Sequence, residues 1–278
     1  MNSIPVLGAL VMTGPEWIKR QVESIDYPVD NYVLFNNGGS NEVVKYIDDL
    51  FKEDHPFIKN KQICHLPSNL GVQAGWNLIV KSNMFAPYWI IASHDVSFTD
   101  GILEEMHEAT KDIEVGMVYP NAGDFGWGSY DLFLMKNWVV DKIGLFDENF
   151  YPAYFEDFDH AIRIKNASIK IKAGLSKKYY HGDTFNYNIS GGQTAKSCPK
   201  IKENFQRAKG INQDYLINKW GASKMTKDGE DIGRIEPHAS VYNVESILAS
   251  IGVSIPKNSL DASYNFNFVK QKHIKNLK

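Results

Sequence analysis

With 278 residues, 43% of them hydrophobic and 23% charged, the chain has the balance of a soluble globular protein, long enough for one large core or two small ones. A formal net charge of −3 supplies no basic field, which argues against nucleic acid as the main partner. No apolar run approaches the roughly 18 residues that span a bilayer, and the first residues lack the regions of a signal peptide; the expectation is no transmembrane segment and a cytoplasmic location, at most peripheral to a membrane.

Ile4 to Met12 is a nearly continuous apolar run, as expected for a strand covered on both faces. Thr13-Gly14-Pro15 turns the chain into a helix through Ser24, with Pro15 suited to its first turn. Tyr32 to Phe35 reads as a second buried strand that ends in Asn36-Asn37-Gly38-Gly39-Ser40-Asn41, and a helix follows from about Glu42 to Lys52. Ile63 to Leu66 is a third short strand, Asn69-Leu70-Gly71 leads into a helix to about Asn83, and Tyr88 to Ala92 is a fourth strand that stops at Ser93-His94-Asp95. This alternation implies an α/β fold with a doubly wound, mostly parallel sheet, whose ligands sit at the carboxyl ends of the strands. The polar clusters fall at those ends.

The remainder breaks into pieces. Val115 to Pro120, Leu132 to Met135 and Ile169 to Ala173 read as strands, with a helix from near Glu156 between the last two. Lys200 to Lys209 and Gln213 to Trp220 read as two helices, and Thr226 to Arg234 as loop. Val241, Val244, Ile247, Leu248 and Ile251 recur at helical spacing and form an apolar face that must pack on the body or on a second copy, so a homodimer is predicted. The tail from Lys270 to Lys278 is expected to fray. Cys64 and Cys198 are too few and too far apart for a disulfide framework or a zinc site and are expected as free thiols.

Chemistry concentrates in five places. The Asn36-Asn37-Gly38-Gly39-Ser40 cluster lets a base or ribose approach the backbone closely, or is an ordinary Asn-Gly turn; it has neither the dinucleotide fingerprint nor the P-loop spacing. In Asn69 to Asn77, Asn69 suits a helix cap, and Gly71 and Gly75 keep one helix face thin for close packing on the sheet. Asp95 ends a strongly apolar strand, where a carboxylate suits Mg²⁺ or Mn²⁺ shared with phosphates, or else caps a helix near Asp100 together with Ser97. His181, at a glycine turn, is a further candidate ligand, though a lone His is more often structural. Finally, Phe146 to Asp159 sets Glu156, Asp157 and Asp159 at a helix start behind an aromatic-proline loop, where a catalytic base can be held.

These elements, in this order from Ile4 to Asp183, resemble the inverting family 2 glycosyltransferases of the GT-A fold, with a weaker echo at Tyr215 to Gly221. Asn36-Asn37-Gly38 stands where the family has Asp-Asn-Gly or Asp-Asn-x-Ser at the nucleoside. Asn69 to Asn77 matches its Asn-x-Gly-x-x-x-x-x-Asn pattern, and Ser93-His94-Asp95 takes the place of its Asp-x-Asp motif. Phe146 to Arg163 matches its Gly-x-Phe-Asp-Glu-x-Phe followed by Glu-Asp-x-Asp-x-x-x-Arg, and His181 is placed like a family metal-binding His. The resemblance implies a GT-A catalytic domain over residues 1–221, with a nucleotide-sugar half (1–97) and an acceptor half (98–221), and a C-terminal extension over 222–278.

It further implies transfer of a sugar from a UDP-, dTDP- or GDP-type donor to a hydroxyl of a glycan or glycoconjugate, with inversion and with Mn²⁺ or Mg²⁺ as cofactor. Thr13, Asn36, Asn37, Gly38, Asn69, Gly71, Asn77, His94 and Asp95 would bind the donor, Asp95 and His181 the cation. Asp157 would be the general base, biased toward its ionised form by the helix macrodipole, and Glu156 would orient the acceptor. The loop Asn121 to Asp131 would bring Asp124 and Trp127 to the acceptor sugar, or is a surface loop anchored by its aromatics. Asp159 and Arg163 are expected as an i to i+4 ion pair. Two departures matter: Asn36 makes any nucleoside contact a neutral hydrogen bond, and Ser93 removes the first metal-motif carboxylate. The latter keeps open a non-catalytic nucleotide-sugar or glycan binding protein, whereas a nucleotidyltransferase lacks its Gly-rich basic segment near Val11 to Pro15.

Overall fold

The computed structural model describes residues 2–122, 128–185, 193–197 and 199–220. Asp124, Trp127, Cys198, the extension 222–278 with its apolar face, and the homodimer drawn from that face lie outside the described residues. The strands are β1 (Ile4–Val11), β2 (Val29–Asn37), β3 (Ile58–Leu66), β4 (Tyr88–Ser93), β5 (Val96–Phe98), β6 (Val115–Tyr119), β7 (Leu132–Lys136), β8 (Lys170–Ala173), β9 (Tyr179–His181) and β10 (Thr184–Phe185). The helices are α1 (Glu16–Glu23), α2 (Asn41–Leu50), α3 (Val72–Ser82), α4 (Ile102–Glu108), α5 (Asn137–Ile143), α6 (Glu156–Asn166), α7 (Gln193–Ser197) and α8 (Pro199–Trp220).

Seven strands form one sheet in the order β3-β2-β1-β4-β7-β6-β8, and β10-β9-β5 form a small second sheet. Strands β3, β2, β1 and β4 are parallel, so their carboxyl ends share one edge. Strand β7 runs antiparallel between β4 and β6, which brings its first residues to that same edge. Alternate residues of the central strands serve different cores. Ile90, Ala92, Leu132 and Leu134 pack on one face with Ile18 of α1 and Met106 of α4. Trp89, Ile91, Phe133 and Met135 pack on the other with Trp76 of α3 and Ala161 of α6. Burial on both faces is why these strands read as unbroken apolar runs.

Three expectations change. Strands β2 and β3 are longer than their apolar centres, because β3 is an edge strand whose Lys59 and Asn60 are exposed and whose Lys61 is tied to the Phe51 and Glu53 carbonyls, so these residues carry no apolar signal. The two C-terminal helices are one 22-residue helix, α8. Gly210 has open space around its Cα, and a mid-helix glycine costs only about 1 kcal/mol, less than the packing of Ala208, Leu216 and Trp220 around it supplies. A third core of Phe150, Phe155, Ile162, Tyr215, Leu216 and Trp220 fastens α8 to α6.

Candidate active site

The carboxyl edge of the sheet opens into a cavity of about 310 Å³. It is lined by Leu10 and Val11 at the end of β1 and Met12 just past it, by Asn37, Asn69, Ser93, His94 and Asp95, and by Glu156, Asp157 and His181. Asp95 and Asp157, separated by more than sixty residues of chain, therefore face one space.

The two asparagine motifs are a single construction. Asn37 accepts from the Leu70 amide at 2.8 Å and donates to Asn69 Oδ1 at 3.0 Å and the Gly71 carbonyl at 3.1 Å. Gly38, at φ +81°, lies so close that a Cβ would sit 2.4 Å from the Asn69 nitrogen, so the turn demands glycine. Asn69 Oδ1 accepts from the Gly71 amide at 2.8 Å; the helix cap is Gly71 itself, at φ +91°. Asn36 is fully buried and turned away from the cavity, accepting from the Gly39 amide at 2.8 Å with its Nδ2 3.0 Å from His65 Nδ1. Asn77 is likewise a tie, its amide paired with both backbone groups of Phe146 and its Nδ2 donating to Glu148 at 2.8 Å. Thr13 and Gly71 lie beside the cavity without lining it.

Asp95 does not cap the helix near Asp100; its Oδ2 instead accepts from the amide of Gln193, the first residue of α7, at 3.4 Å. Helix α4 begins at Ile102 after Gly101 in the left-handed region, and Ser97 belongs to β5. The β5–β9 register places Val96 opposite His181, which brings the imidazole beside Asp95. His181 Nε2 lies 3.2 Å from Asp95 Oδ1 and its Nδ1 lies 2.9 Å from Asp131 Oδ2. Burial alone would raise the Asp95 carboxyl, but the hydrogen bond from His181 and the nearby imidazoles outweigh it and bring it down to about 2. Burial alone would lower His181, and its bonds to Asp131 and Asp95 instead lift it to about 10. Neighbouring His94 is pushed below its ordinary pKa by burial, and its Nε2 has no hydrogen-bond partner among the described residues.

The donor set fits a hard divalent cation. Two ligands about 2.1 Å from an octahedral ion and at right angles to each other lie about 3 Å apart, close to the 3.2 Å between Asp95 Oδ1 and His181 Nε2. Among the described residues no cluster of three or more His, Cys, Asp and Glu side chains is grouped around a metal position. Asp131 reaches only the far nitrogen of His181, so Asp95 and His181 are the two side chains here that could hold such a cation.

Glu156 and Asp157 open α6 behind a tightly held loop. Tyr154 and Phe155 both adopt the left-handed region, at φ 77° and 73°, unusual for bulky residues and found where surrounding structure enforces it. Here Asn212 of α8 enforces it: its amide donates to the carbonyls of Ala153 at 2.9 Å and of Tyr151 and Tyr154 at 3.3 Å. Asp157 accepts from the Phe158 amide at 2.9 Å. The macrodipole argument gives the wrong sign: burial outweighs the helix-end hydrogen bonds and raises the Asp157 pKa. Glu156 is raised well above the ordinary range by burial and then by the charge of Asp157, and its buried Oε2 has no partner among the described residues. Both carboxyls are therefore harder to ionise than exposed ones, Glu156 the more so.

Sequence reasoning missed the polar clamp behind this loop. Lys219 of α8 lies 2.7 Å from Asp147 and also contacts Asp159, which accepts from Trp220 Nε1 at 3.0 Å and Arg163 Nε at 3.0 Å. The Asp159–Arg163 ion pair is therefore one arm of a buried network. It also missed Asp131, since nothing in the sequence says that β7 reverses direction.

The class defined by this sheet, with its inserted antiparallel strand and its cavity at the carboxyl edge, is the GT-A fold of glycosyltransferases. Solved structures of similar fold agree. The chain is similar to the mannosyltransferase PcManGT from Pyrobaculum calidifontis, in complex with GDP-Man and Mn²⁺, with TM-score 0.58 and 12% identity over 100% of this chain and 88% of that one. It is similar to S. aureus TarS 1–349 in complex with UDP-GlcNAc, with TM-score 0.52 and 10% identity over 82% and 69%. A galactofuranosyl glycosyltransferase of Leishmania donovani is 31% identical over 88 residues, 32% of this chain; the match spans only 19% of that relative's length. No family model matches the chain. No helix among the described residues is long and apolar enough to cross a membrane.

Proposed function

We propose that the chain is an inverting, family 2 type glycosyltransferase that moves a sugar from a nucleotide-diphosphate sugar to a hydroxyl of a glycan or glycoconjugate. The observation that carries this reading is the single cavity lined by both Asp157 and the Asp95–His181 pair. The nucleotide and diphosphate would lie along the β1, β2 and β4 ends, toward Asn37, Asn69 and His94, and the acceptor hydroxyl would enter over α6. The likeness to structures holding GDP-Man with Mn²⁺ and UDP-GlcNAc supports the donor class.

Asp157 takes the proton of the acceptor hydroxyl as that oxygen attacks the anomeric carbon from the face opposite the departing diphosphate. A carboxyl raised by burial is a stronger base than an exposed one, and a positioned base contributes roughly 10² to 10⁴ in rate. Glu156, the more strongly raised of the pair, holds the proton that Asp157 lacks and so donates a hydrogen bond to the acceptor. Asp95 and His181 would hold Mn²⁺ or Mg²⁺, which when bound supplies Lewis-acid stabilisation of the leaving diphosphate. Tyr130 and Trp76, with Phe146 packed against both, form an apolar wall of the cavity that Asp157 shares.

The test is incubation with a panel of UDP-, dTDP- and GDP-sugars and Mn²⁺, following release of nucleoside diphosphate. Turnover of one donor, reduced about 10² to 10⁴-fold in Asp157→Asn, is expected. Donor binding without turnover would favour the non-catalytic binding protein that Ser93 left open.

A further inference from the structure

We propose that Asp131 is a positioning residue for the cation site, the carboxylate that aims His181 at Asp95 from across the β4–β7 ladder. The inference rests on the cation reading given under Proposed function. Its first support is register: β4 and β7 pair antiparallel with Ala92 opposite Leu132, and the Ser93 amide donates to the Asp131 carbonyl at 2.7 Å. Asp131 thus stands across the ladder from the one metal-motif position that carries no carboxylate. Its second support is how firmly that carboxylate is held. Asp131 is 8% exposed; its Oδ1 accepts from the Tyr179 hydroxyl at 2.7 Å and the Leu132 amide at 3.0 Å, while Asn121 donates to that hydroxyl at 2.9 Å.

The other carboxylate oxygen, Oδ2, lies 2.9 Å from His181 Nδ1. An imidazole that donates through Nδ1 presents the lone pair of Nε2 once that nitrogen gives up its proton, and Nε2 is the atom that faces Asp95. Such carboxylate–histidine–metal arrangements fix the tautomer, orient the ring and raise the basicity of the ligand, and losing the outer carboxylate commonly costs 10- to 100-fold in metal affinity.

The experiment is a titration of the purified chain with Mn²⁺, alone and with UDP or GDP, read by the electron paramagnetic resonance of free Mn²⁺. It compares wild type, Asp131→Ala, Asp131→Asn, Tyr179→Phe and His181→Ala. Asp131→Ala is expected to weaken Mn²⁺ binding 10- to 100-fold, and Asp131→Asn, which keeps an acceptor without the charge, by less. Tyr179→Phe removes a hydrogen bond from the same buried pocket but leaves the carboxylate, and should stay within about threefold of wild type. The ¹⁵N spectrum of labelled histidine should show the His181 Nδ1 proton held in wild type and Asp131→Asn and lost to exchange between the two nitrogens in Asp131→Ala. Wild-type affinity in both Asp131 variants, or equal weakening by Asp131→Ala and Tyr179→Phe, would overturn the proposal and leave the cation reading intact. Failure of the wild type to bind Mn²⁺ even with nucleoside diphosphate would overturn both. Should Asp131→Ala not fold, Asp131→Asn decides.

Discussion

The region up to β4 and the region after it solve different problems. In the first, what fixes the site is close approach and neutral hydrogen bonds: Gly75 lets α3 lie on β1, where a Cβ would meet Leu10 at 2.5 Å, and Gly38 lets two turns touch so that Asn37 can bond Leu70 and Gly71. In the second, the chemistry-bearing residues arrive from β7, the start of α6, β9 and α8, and polar side chains hold them together: Lys219 between two carboxylates, Asn212 under the left-handed turn, His181 between Asp95 and Asp131. Shape can be encoded locally, whereas a charged site assembled from distant segments needs paired charges to offset its own desolvation.

The strongest challenge to that contrast is Lys219→Met. It leaves Asp147 and Asp159 without their shared cation, and breaking such a buried pair costs about 3–5 kcal/mol, visible as a large drop in melting temperature. Burial alone would raise Asp147 and Lys219 holds it below the ordinary carboxyl range, so that contribution to stability is present at neutral pH and fades as pH falls through the native value. In the earlier region, Gly75→Ala should cost about 1–3 kcal/mol by overpacking against Leu10, independent of pH. A pH-dependent Gly75→Ala effect would blur the distinction.

Glu156→Gln should act in the opposite direction, with a stabilisation on the order of 1 kcal/mol at pH 7. Folding raises the Glu156 pKa, so the native state prefers the protonated form and loses stability as pH rises from the unfolded carboxyl range through the native one. The gain should vanish near pH 3, below the ordinary carboxyl range of about 4, and thermal melts at the two pH values check it. The smallest effect belongs to Lys170→Ala. Its exposed pairs with Asp112 and Glu114 use the same chemistry as Lys219 without burial, and the melting temperature should scarcely move.

The same contrast explains what the sequence disclosed. Strands β1 and β4 were plain because both faces are apolar; β3 showed only its last residues because one side meets solvent. His181 could be singled out as a histidine at a glycine turn, but its distance to Asp95 depends on the β5–β9 register, in strands three residues long with no periodicity to read. Asp131 opens an apolar run like any strand-start polar residue, and only the reversal of β7 brings it to the cavity. The buried links from Asp147 and Asp159 to α8 cross some sixty to seventy residues of chain, beyond any local pattern.

The most direct measurement is the anomeric configuration of the first sugar released when the chain, with Mn²⁺, hydrolyses its donor, followed by proton NMR before mutarotation. A single displacement using Asp157 as base predicts an initial anomer opposite to that of the donor, formed about 10² to 10⁴-fold more slowly in Asp157→Asn. Retention of configuration, or an unchanged rate in that variant, would contradict the assignment.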